Sequence, residues 1–235
     1  MQLYKYELHT HTAECDPYAG IGGAELVRLY REAGYNGIVI TDHYIWSFAK
    51  WFAEENLASA THEEYIRRWL KGYYAAKEAA EGTDFTVLAG AEVALDGQIN
   101  HYLIYGVDEA FFYRAPLLNK CKTIDELTAL LPNGALIVQA HPFRKNMTIC
   151  DPNALFGFEG YNAGTEGFRN EMAKLYGRHY GKRLTSGSDV HGHRAVARGG
   201  IATEHAIHTP QDLVNLLESG DYHLVQDGEI TDDKG

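Results

Sequence analysis

The sequence predicts an α/β fold in which parallel strands alternate with helices. A strand, a helix and a second strand follow one another near the start of the chain, at 3–6, 23–33 and 37–41. This order is typical of a unit whose two strands pair in parallel. The second strand is a continuous β-branched run, as in a strand covered on both faces. In addition, one predicted strand after another ends in His, Asp or Glu.

Composition limits the class of protein. The chain has 235 residues, of which 45% are hydrophobic and 23% charged, as in an ordinary globular protein. We expect a single domain over 1–235. The formal net charge of −11 disfavours a long nucleic-acid partner, because such binding relies on many Lys and Arg contacts. Three cysteines without Cys-x-x-Cys spacing favour a reducing cytoplasm, and the lack of a long apolar run predicts no membrane contact.

Strands and helices continue to alternate along the rest of the chain. Residues 44–84 are predicted to be mostly helical, with a capping box at 61–64. Aromatic residues recur there at every fourth position, which favours core packing or a lid over a cofactor box. Further strands are predicted at 85–92, 101–106, 135–140, 156–162 and 182–186. Further helices are predicted at 123–131, between the strand 156–162 and about Tyr180, and at 209–220. The polar, acidic tail 227–235 is predicted to be frayed.

The first strand ends in a His-x-His motif. Residues two apart point the same way in an extended chain, so His9 and His11 project together. Asp16 follows in a loop that can fold back to add a carboxylate. Two imidazoles and a carboxylate suit zinc, iron or manganese. Taken alone, the motif is as easily an accident of a solvated strand end.

The same residue types recur at later predicted strands. The complete set of potential ligands is His9, His11, Asp16, His43, Glu92, His101, His141, Asp189 and His191. Carboxyl ends of parallel strands share one face, where α/β active sites form. His101 instead precedes its strand, so either that strand runs opposite to the others or its boundary differs. Nine ligands are too many for one ion and suit two, or three if Glu92 bridges.

As an ordered set, these motifs resemble the PHP family (polymerase and histidinol phosphatase). The resemblance is carried by His9-x-His11, Thr41-Asp42-His43, Gly90-x-Glu92, Ala140-His141-Pro142 and Ser188-Asp189-x-His191. It implies a distorted seven-stranded (β/α) barrel with a trinuclear centre of divalent ions. It also implies phosphoester hydrolysis by a water that the metal ions activate, with a small phosphorylated substrate.

The resemblance also implies a role for each ligand. His9 and His11 would hold the first ion with Glu92 and Asp189. The second ion would be held by Asp16, His43 and His191, and the third by Glu92, His101 and His141. Asp16, Glu92, Asp189 and His191 would be catalytic, and the Asp form at position 16 resembles members that hydrolyse small phosphate esters. Glu159 and Asn162 are similar to residues that lie near the site in the family.

Arginines near the motifs are candidates for contacting a phosphate. Arg144 and Arg198 are predicted to bind substrate, since a guanidinium can donate two hydrogen bonds to a phosphate. Arg144 could instead pair with Asp151 at the surface, and a rim ion pair is favoured for Arg194.

Two other functions fit parts of the pattern. An amidohydrolase acting on C–N bonds also begins with His-x-His on a β/α barrel, but its binuclear centre commonly uses a carbamylated lysine where Glu92 stands here. A metal-stabilised regulatory domain without activity would show a degenerate ligand set, whereas this set is complete.

Overall fold

A computed structural model of the chain describes residues 3–235. Its strands are β1 (Tyr4–Thr10), β2 (Gly37–Ile40), β3 (His43–Tyr44), β4 (Thr86–Ala89), β5 (Ala91–Ala94), β6 (His101–Tyr105), β7 (Leu136–Gln139), β8 (Gly157–Asn162), β9 (Arg183–Gly187), β10 (Ile201–Thr203), β11 (His223–Gln226) and β12 (Glu229–Lys234). The helices are α1 (Gly23–Glu32), α2 (Phe48–Trp51), α3 (His62–Trp69), α4 (Lys71–Ala80), α5 (Glu109–Arg114), α6 (Ile124–Leu130), α7 (Gly167–His179) and α8 (Pro210–Ser219).

These strands form two six-stranded sheets in a mixed α/β fold. The first sheet has the order β12-β11-β10-β1-β2-β4, and the second has the order β3-β5-β6-β7-β8-β9. The pairs β1–β2, β2–β4, β7–β8 and β8–β9 are parallel. The parallel strands predicted from the first strand–helix–strand unit are therefore confirmed.

The closed seven-stranded barrel expected from the resemblance is not confirmed. The strand is interrupted at Gly90, between β4 and β5. A Cβ added at this residue would lie 2.8 Å from Val39 Cγ1 and 2.9 Å from the Ile104 carbonyl oxygen, so the site has no room for a larger side chain. At the other side, Thr10 of β1 forms one isolated parallel bridge with Val190, in the loop after β9. Interrupted strands and a bridge in place of a ladder divide the strands into two sheets that abut.

Strand β6 runs antiparallel to both β5 and β7. The opposite direction that the sequence suggested for this strand is thus confirmed. It has a direct consequence for His101, the first residue of β6. In an antiparallel strand, the first residue lies at the same edge as the last residues of its neighbours. The reversed strand therefore brings His101 to the edge where the parallel strands end.

One apolar core joins the two sheets and the helices. Leu8 of β1, Leu103 of β6 and Phe158 of β8 are fully buried and belong to one cluster. In the segment 44–84, Trp69 and Tyr73 are buried as well, so the aromatic residues of this segment serve the core as predicted.

The ends of several helices follow the sequence signals. Thr61 and Glu64 form the predicted capping box of α3, and Thr209 caps α8, which ends at Gly220 in a left-handed conformation. The prediction that the tail 227–235 is frayed is wrong, because β12 pairs with β11. Its Asp233 receives a hydrogen bond of 2.9 Å from Lys174 Nζ. Across residues 3–235, none of the helices is both long and apolar enough to cross a bilayer.

Candidate metal centre

All nine potential ligands lie together at the edge where the sheets abut. They fall into four overlapping groups, within each of which the ligand atoms lie within 4.8 Å of one another. The groups are His11, Asp16, His43 and His191; His9, Glu92 and His141; His9, His11 and Asp189; and His43, Glu92 and His101. Strand ends from both sheets therefore supply one continuous cluster.

The first part of the cluster surrounds the Nε2 atoms of His9 and His11, which lie 3.1 Å apart. Asp189 Oδ1 is 3.6 Å from His9 Nε2 and 3.1 Å from His11 Nε2. Glu92 Oε2 is 3.6 Å and 3.3 Å from the same two nitrogens. Four ligands about 2.0–2.1 Å from one ion at tetrahedral angles lie about 3.4 Å from each other. These side chains therefore fit a divalent ion.

Glu92 lies between the imidazoles of His9 and His11 on one side and those of His101 and His141 on the other. Its Oε1 is 2.9 Å from both His101 Nδ1 and His141 Nε2. Its Oε2 is 3.0 Å from His43 Nε2 and is buried without a hydrogen-bond partner among the described residues. A carboxylate with each oxygen facing a different set of imidazoles has the geometry expected of a bridging ligand.

The remaining part of the cluster is centred on Asp16. Its Oδ2 lies 3.1 Å from His43 Nδ1 and 3.2 Å from His191 Nε2. The backbone N–H of Tyr18 donates to Asp16 Oδ1 at 2.8 Å, which fixes the carboxylate orientation. The second ring nitrogen of His43, Nε2, faces Glu92. His43 therefore lies between Asp16 and Glu92 and is close enough to contribute to an ion on either side.

The backbone is unusual at two of these residues. His141 has φ of 29° and Asp189 has φ of 50°, in the left-handed region that residues other than glycine rarely adopt. Such conformations cost of order 1–3 kcal/mol and are typical of functional sites. Asp189 is held by a hydrogen bond from its N–H to the His9 carbonyl at 3.0 Å. The local strain thus aims both side chains into the cluster.

A second layer of polar side chains orients the ligands. Glu159 Oε1 is 2.7 Å from His9 Nδ1, and Glu159 Oε2 accepts a hydrogen bond of 2.8 Å from the backbone N–H of His141. Asn162 Nδ2 donates to Glu159 Oε2 at 2.9 Å and to Asp189 Oδ2 at 3.2 Å. Carboxylates that accept from the outer nitrogen of a ligating histidine are a regular feature of metal sites.

Sequence comparison alone gives no match, because neither a protein-family model nor a curated protein matches the chain. Solved structures do match it. A two-domain protein from Bacteroides vulgatus ATCC 8482 containing a predicted PHP-like metal-dependent phosphoesterase superposes with a TM-score of 0.68 at 15% identity, covering 97% of this chain and 66% of that one. The fold is PHP-like. The chain thus spans just under two thirds of the length of that two-domain protein.

Two further structures superpose on this chain. PsfC from Pseudomonas syringae PB-5123 superposes with a TM-score of 0.64 at 15% identity, covering 91% of this chain and 88% of that one. An amidohydrolase from Chromobacterium violaceum, with bound sulfate and no metal, superposes with a TM-score of 0.51 at 14% identity, covering 90% and 96%. At such identities the likeness establishes the fold, and the chemistry has to be argued from the site.

The pKa values of the clustered histidines are shifted in opposite directions. Burial, together with the neighbouring His43, lowers the pKa of His11 to about 3, so His11 is a neutral imidazole, the form that binds metal. Burial also disfavours a charged His9, but the carboxylates of Glu159 and Asp189 outweigh it and raise the pKa of His9 well above its usual value.

His43 behaves like His9. Burial opposes its charged form, but the carboxylates of Glu92 and Asp16 raise the pKa of His43 to about 10. The pKa of Glu92 lies well below its usual value despite burial, because His101 and His43 stabilise its negative charge. Without ions, protonated imidazoles thus neutralise the buried carboxylates. Divalent cations would do so in their place.

Two buried carboxylates beside the ligands were missed by the sequence reasoning. Glu7 Oε1 accepts hydrogen bonds from the N–H groups of His9 at 3.0 Å and Ser188 at 2.9 Å. Asp42 accepts from the N–H of Thr12 at 2.6 Å, and burial raises the pKa of Asp42 to about 7. Glu7 lies two residues before His9 in the same strand, and this same-face spacing was the one signal that could have identified it.

The candidate arginines lie in different surroundings. Arg144 Nη1 is 3.6 Å from Asp189 Oδ2, so it faces the cluster and not Asp151. It lines a cavity of about 470 Å³ together with Asp189, His191 and Arg194. Arg198 instead donates hydrogen bonds to Asp227 and to the Ala163 carbonyl. Its role in substrate binding stays a prediction.

Proposed function

We propose that the chain is a PHP-family, metal-dependent phosphoesterase that hydrolyses a small phosphate monoester. The observation that carries the proposal is Glu92, whose two oxygens face different sets of imidazoles at 2.9–3.6 Å. A buried carboxylate shared in this way suits a centre of two or three ions better than a single ion.

The ligand sets of the proposal are those that the family resemblance implies. His9, His11, Glu92 and Asp189 would hold the first ion. Asp16, His43 and His191 would hold the second, and Glu92, His101 and His141 the third. Zinc, iron and manganese all suit such nitrogen and oxygen donors. Divalent ions bound there would acidify water and withdraw charge from the phosphoryl oxygens.

The residues of the chain would bind and orient the substrate. Arg144 would donate hydrogen bonds to the phosphate and hold it against Asp189 and His191, which line the same cavity. A cavity of about 470 Å³ suits a small molecule. Glu159 would keep His9 oriented through the hydrogen bond to Nδ1. The net charge of −11 supports a small phosphorylated substrate over a long nucleic acid.

C–N bond hydrolysis is the second candidate, because a structure named as an amidohydrolase shares the fold. Two features of this chain support phosphoester hydrolysis over it. Glu92, not a lysine, is shared between the ligand groups, and Arg144 faces the cluster with a permanent positive charge that suits phosphate. The complete ligand set opposes a purely regulatory role.

Free Cys15, Cys121 and Cys150 support a reducing, cytoplasmic location.

A substrate panel tests the proposal. The protein, reconstituted separately with zinc, iron and manganese, is assayed against phosphate monoesters, phosphate diesters and cyclic amides. We expect metal-dependent phosphate release from at least one monoester, lost after chelation and restored by the ion. Hydrolysis of an amide without activity on any phosphoester would instead establish the second candidate. Glu92→Gln serves as the matched inactive variant, since it keeps the shape of the side chain.

A further inference from the structure

A carboxylate that is not among the nine ligands lies beside the metal centre. Glu7 is fully buried. Its Oε1 accepts hydrogen bonds from the backbone N–H groups of Leu8 at 2.9 Å, His9 at 3.0 Å and Ser188 at 2.9 Å. Its Oε2 accepts from the hydroxyl groups of Tyr30, at 2.7 Å, and Ser188. Because burying a carboxylate is costly unless it is hydrogen-bonded, these five donors account for its presence in the core.

Ser188 connects Glu7 to the metal centre. Asp189 follows Ser188 directly and has φ of 50°, in the left-handed region. The backbone N–H and the hydroxyl of Ser188 both donate to Glu7. The hydroxyl oxygen also accepts from the N–H groups of Arg198 at 3.1 Å and Gly199 at 2.7 Å. Ser188 is therefore held from two sides, and the backbone that leads into Asp189 is fixed.

Glu7 also links two segments that share little backbone pairing. Strands β1 and β9 belong to different sheets, and β1 meets the loop after β9 through the isolated bridge of Thr10 with Val190. In a continuous sheet, a row of backbone hydrogen bonds would fix one segment against the other. Here the carboxylate of Glu7 bonds the N–H groups of both segments, at His9 and at Ser188. Each of these two residues is itself a ligand or directly precedes one.

We propose that Glu7 is a positioning residue of the metal centre, which fixes Ser188 and thereby holds Asp189 in its left-handed conformation with Oδ1 facing His9 and His11. An uncommon backbone conformation persists when its surroundings over-determine it, and the contact between Glu7 and Ser188 supplies that constraint. Glu7 touches no ion in this proposal and acts through Asp189. The proposal rests on the metal centre of the proposed function, whichever reaction that centre catalyses.

The contact requires an acceptor at both oxygens of Glu7. Its Oε1 faces three N–H groups, which cannot accept a hydrogen bond. The Ser188 hydroxyl that faces Oε2 already accepts from two N–H groups. An amide nitrogen only donates, so it would meet donors in either orientation of a glutamine side chain. Glu7→Gln therefore disrupts the contact while the size of the side chain is kept.

Crystal structures of ion-free variants test where Asp189 lies. Glu7→Gln is the strong variant, and Ser188→Ala is the mild one, since it removes one hydroxyl and leaves Glu7 in place. We expect Asp189 to leave the left-handed region in both, with Oδ1 further than 3.1 Å from His11 Nε2. If Glu7→Gln does not fold, Ser188→Ala alone decides. An Asp189 that keeps its φ and its place beside His11 overturns the proposal.

Ser186→Ala is the matched control for a lost buried hydroxyl. Ser186 lies on β9 and is fully buried. Its hydroxyl donates to the Val225 carbonyl and accepts from the N–H of Gly200, so it takes no part in the contacts of Glu7. Both serine variants should lower the melting temperature, because each loses buried hydrogen bonds. A shift of Asp189 in Ser186→Ala as large as in Ser188→Ala would overturn the proposal.

Manganese affinity separates positioning from general stability. Ser188→Ala should weaken manganese binding about tenfold, measured by competition with a chelating dye, whereas Ser186→Ala should not. Equal affinities in the two variants overturn the proposal. In an Asp189→Asn background, Ser188→Ala should cost little more, because Glu7 acts through Asp189; a full tenfold loss there also overturns it. If the unmodified chain binds no manganese, the proposed function fails, and the ion-free crystal structures still decide the role of Glu7.

Discussion

The candidate metal centre and the cavity beside it are built in opposite ways. In the centre, Glu92, His9 and His11 are fully buried and are fixed by strands and by hydrogen bonds to further buried groups. In the cavity, Arg144 exposes 39% of its side chain and makes an ion pair of 3.6 Å. Rigid strand ends thus define the chemistry, whereas loops that tolerate sequence change define what is bound. The contrast predicts that substitutions of the buried ligands disturb metal binding and that substitution of Arg144 in the cavity does not.

The strongest test of the contrast is Glu92→Gln. Removal of one buried charge that faces five histidines should reduce metal content and lower kcat/KM at least about a hundredfold, or about 3 kcal/mol. His101→Asn, which alters one side of Glu92 only, should cost less. The measurements are elemental analysis and phosphate release. A Gln variant that keeps its ions and most of its activity would exclude a shared carboxylate.

Glu159→Gln tests whether the second layer belongs to the centre. The amide keeps the size of the side chain but weakens the hydrogen bond to His9 Nδ1, so metal affinity should fall about 10- to 100-fold. Competition with a chelating dye measures the affinity. Glu166→Gln is the matched control, because Glu166 is 61% exposed. Equal affinities in the two variants would contradict an orienting role for Glu159.

Arg144→Ala tests the cavity side of the contrast. Loss of a charge-assisted contact to phosphate should lower kcat/KM about 10- to 100-fold, or roughly 1.5–3 kcal/mol. Metal content should stay intact. Arg67→Ala is the comparison, since Arg67 is exposed and pairs with Glu63 on α3, and its cost should be small. If the Arg67 variant loses as much activity as the Arg144 variant, the loss does not report on a phosphate contact in the cavity.

The last test is a pH dependence of metal affinity, which needs no substitution. Glu92 and Asp16 raise the pKa of His43 to about 10 despite burial, so His43 is protonated at neutral pH in the ion-free protein. An ion must displace that proton, and affinity should therefore rise with pH by about tenfold per unit for each proton released, levelling off above pH 10. Calorimetry in two buffers of different ionisation enthalpy counts the protons. No proton release at pH 7 would contradict the shift.

Most of the metal centre could be predicted because it depends on local rules. Two-residue spacing on β1 placed His9 and His11 together, and the strand-end rule placed Glu92 and His141 at the same edge. The position of His101 left a reversed strand as one of two explanations, and β6 does run antiparallel to β5.

Long-range pairing could not be predicted from local patterns. β12 contains one large apolar residue, Ile230, and its pairing depends on contacts such as Lys174 with Asp233, 59 residues apart. The division into two sheets depends on the break at Gly90, which reads in the sequence as part of a continuous strand. Glu7 gave only a weak signal, because buried carboxylates within strands are rare and a single sequence does not reveal burial.

The hydrogen bond from Ser188 to Glu7 spans 181 positions of the sequence. Asp189 and His191 lie one and three residues further on, so the cluster joins side chains from distant parts of the chain. Contacts this distant in sequence form late in folding and slow it. During synthesis, the centre cannot assemble until β9 and the loop after it have left the ribosome. A bound ion would then act as a non-covalent cross-link that holds β1 and the loop after β9 together.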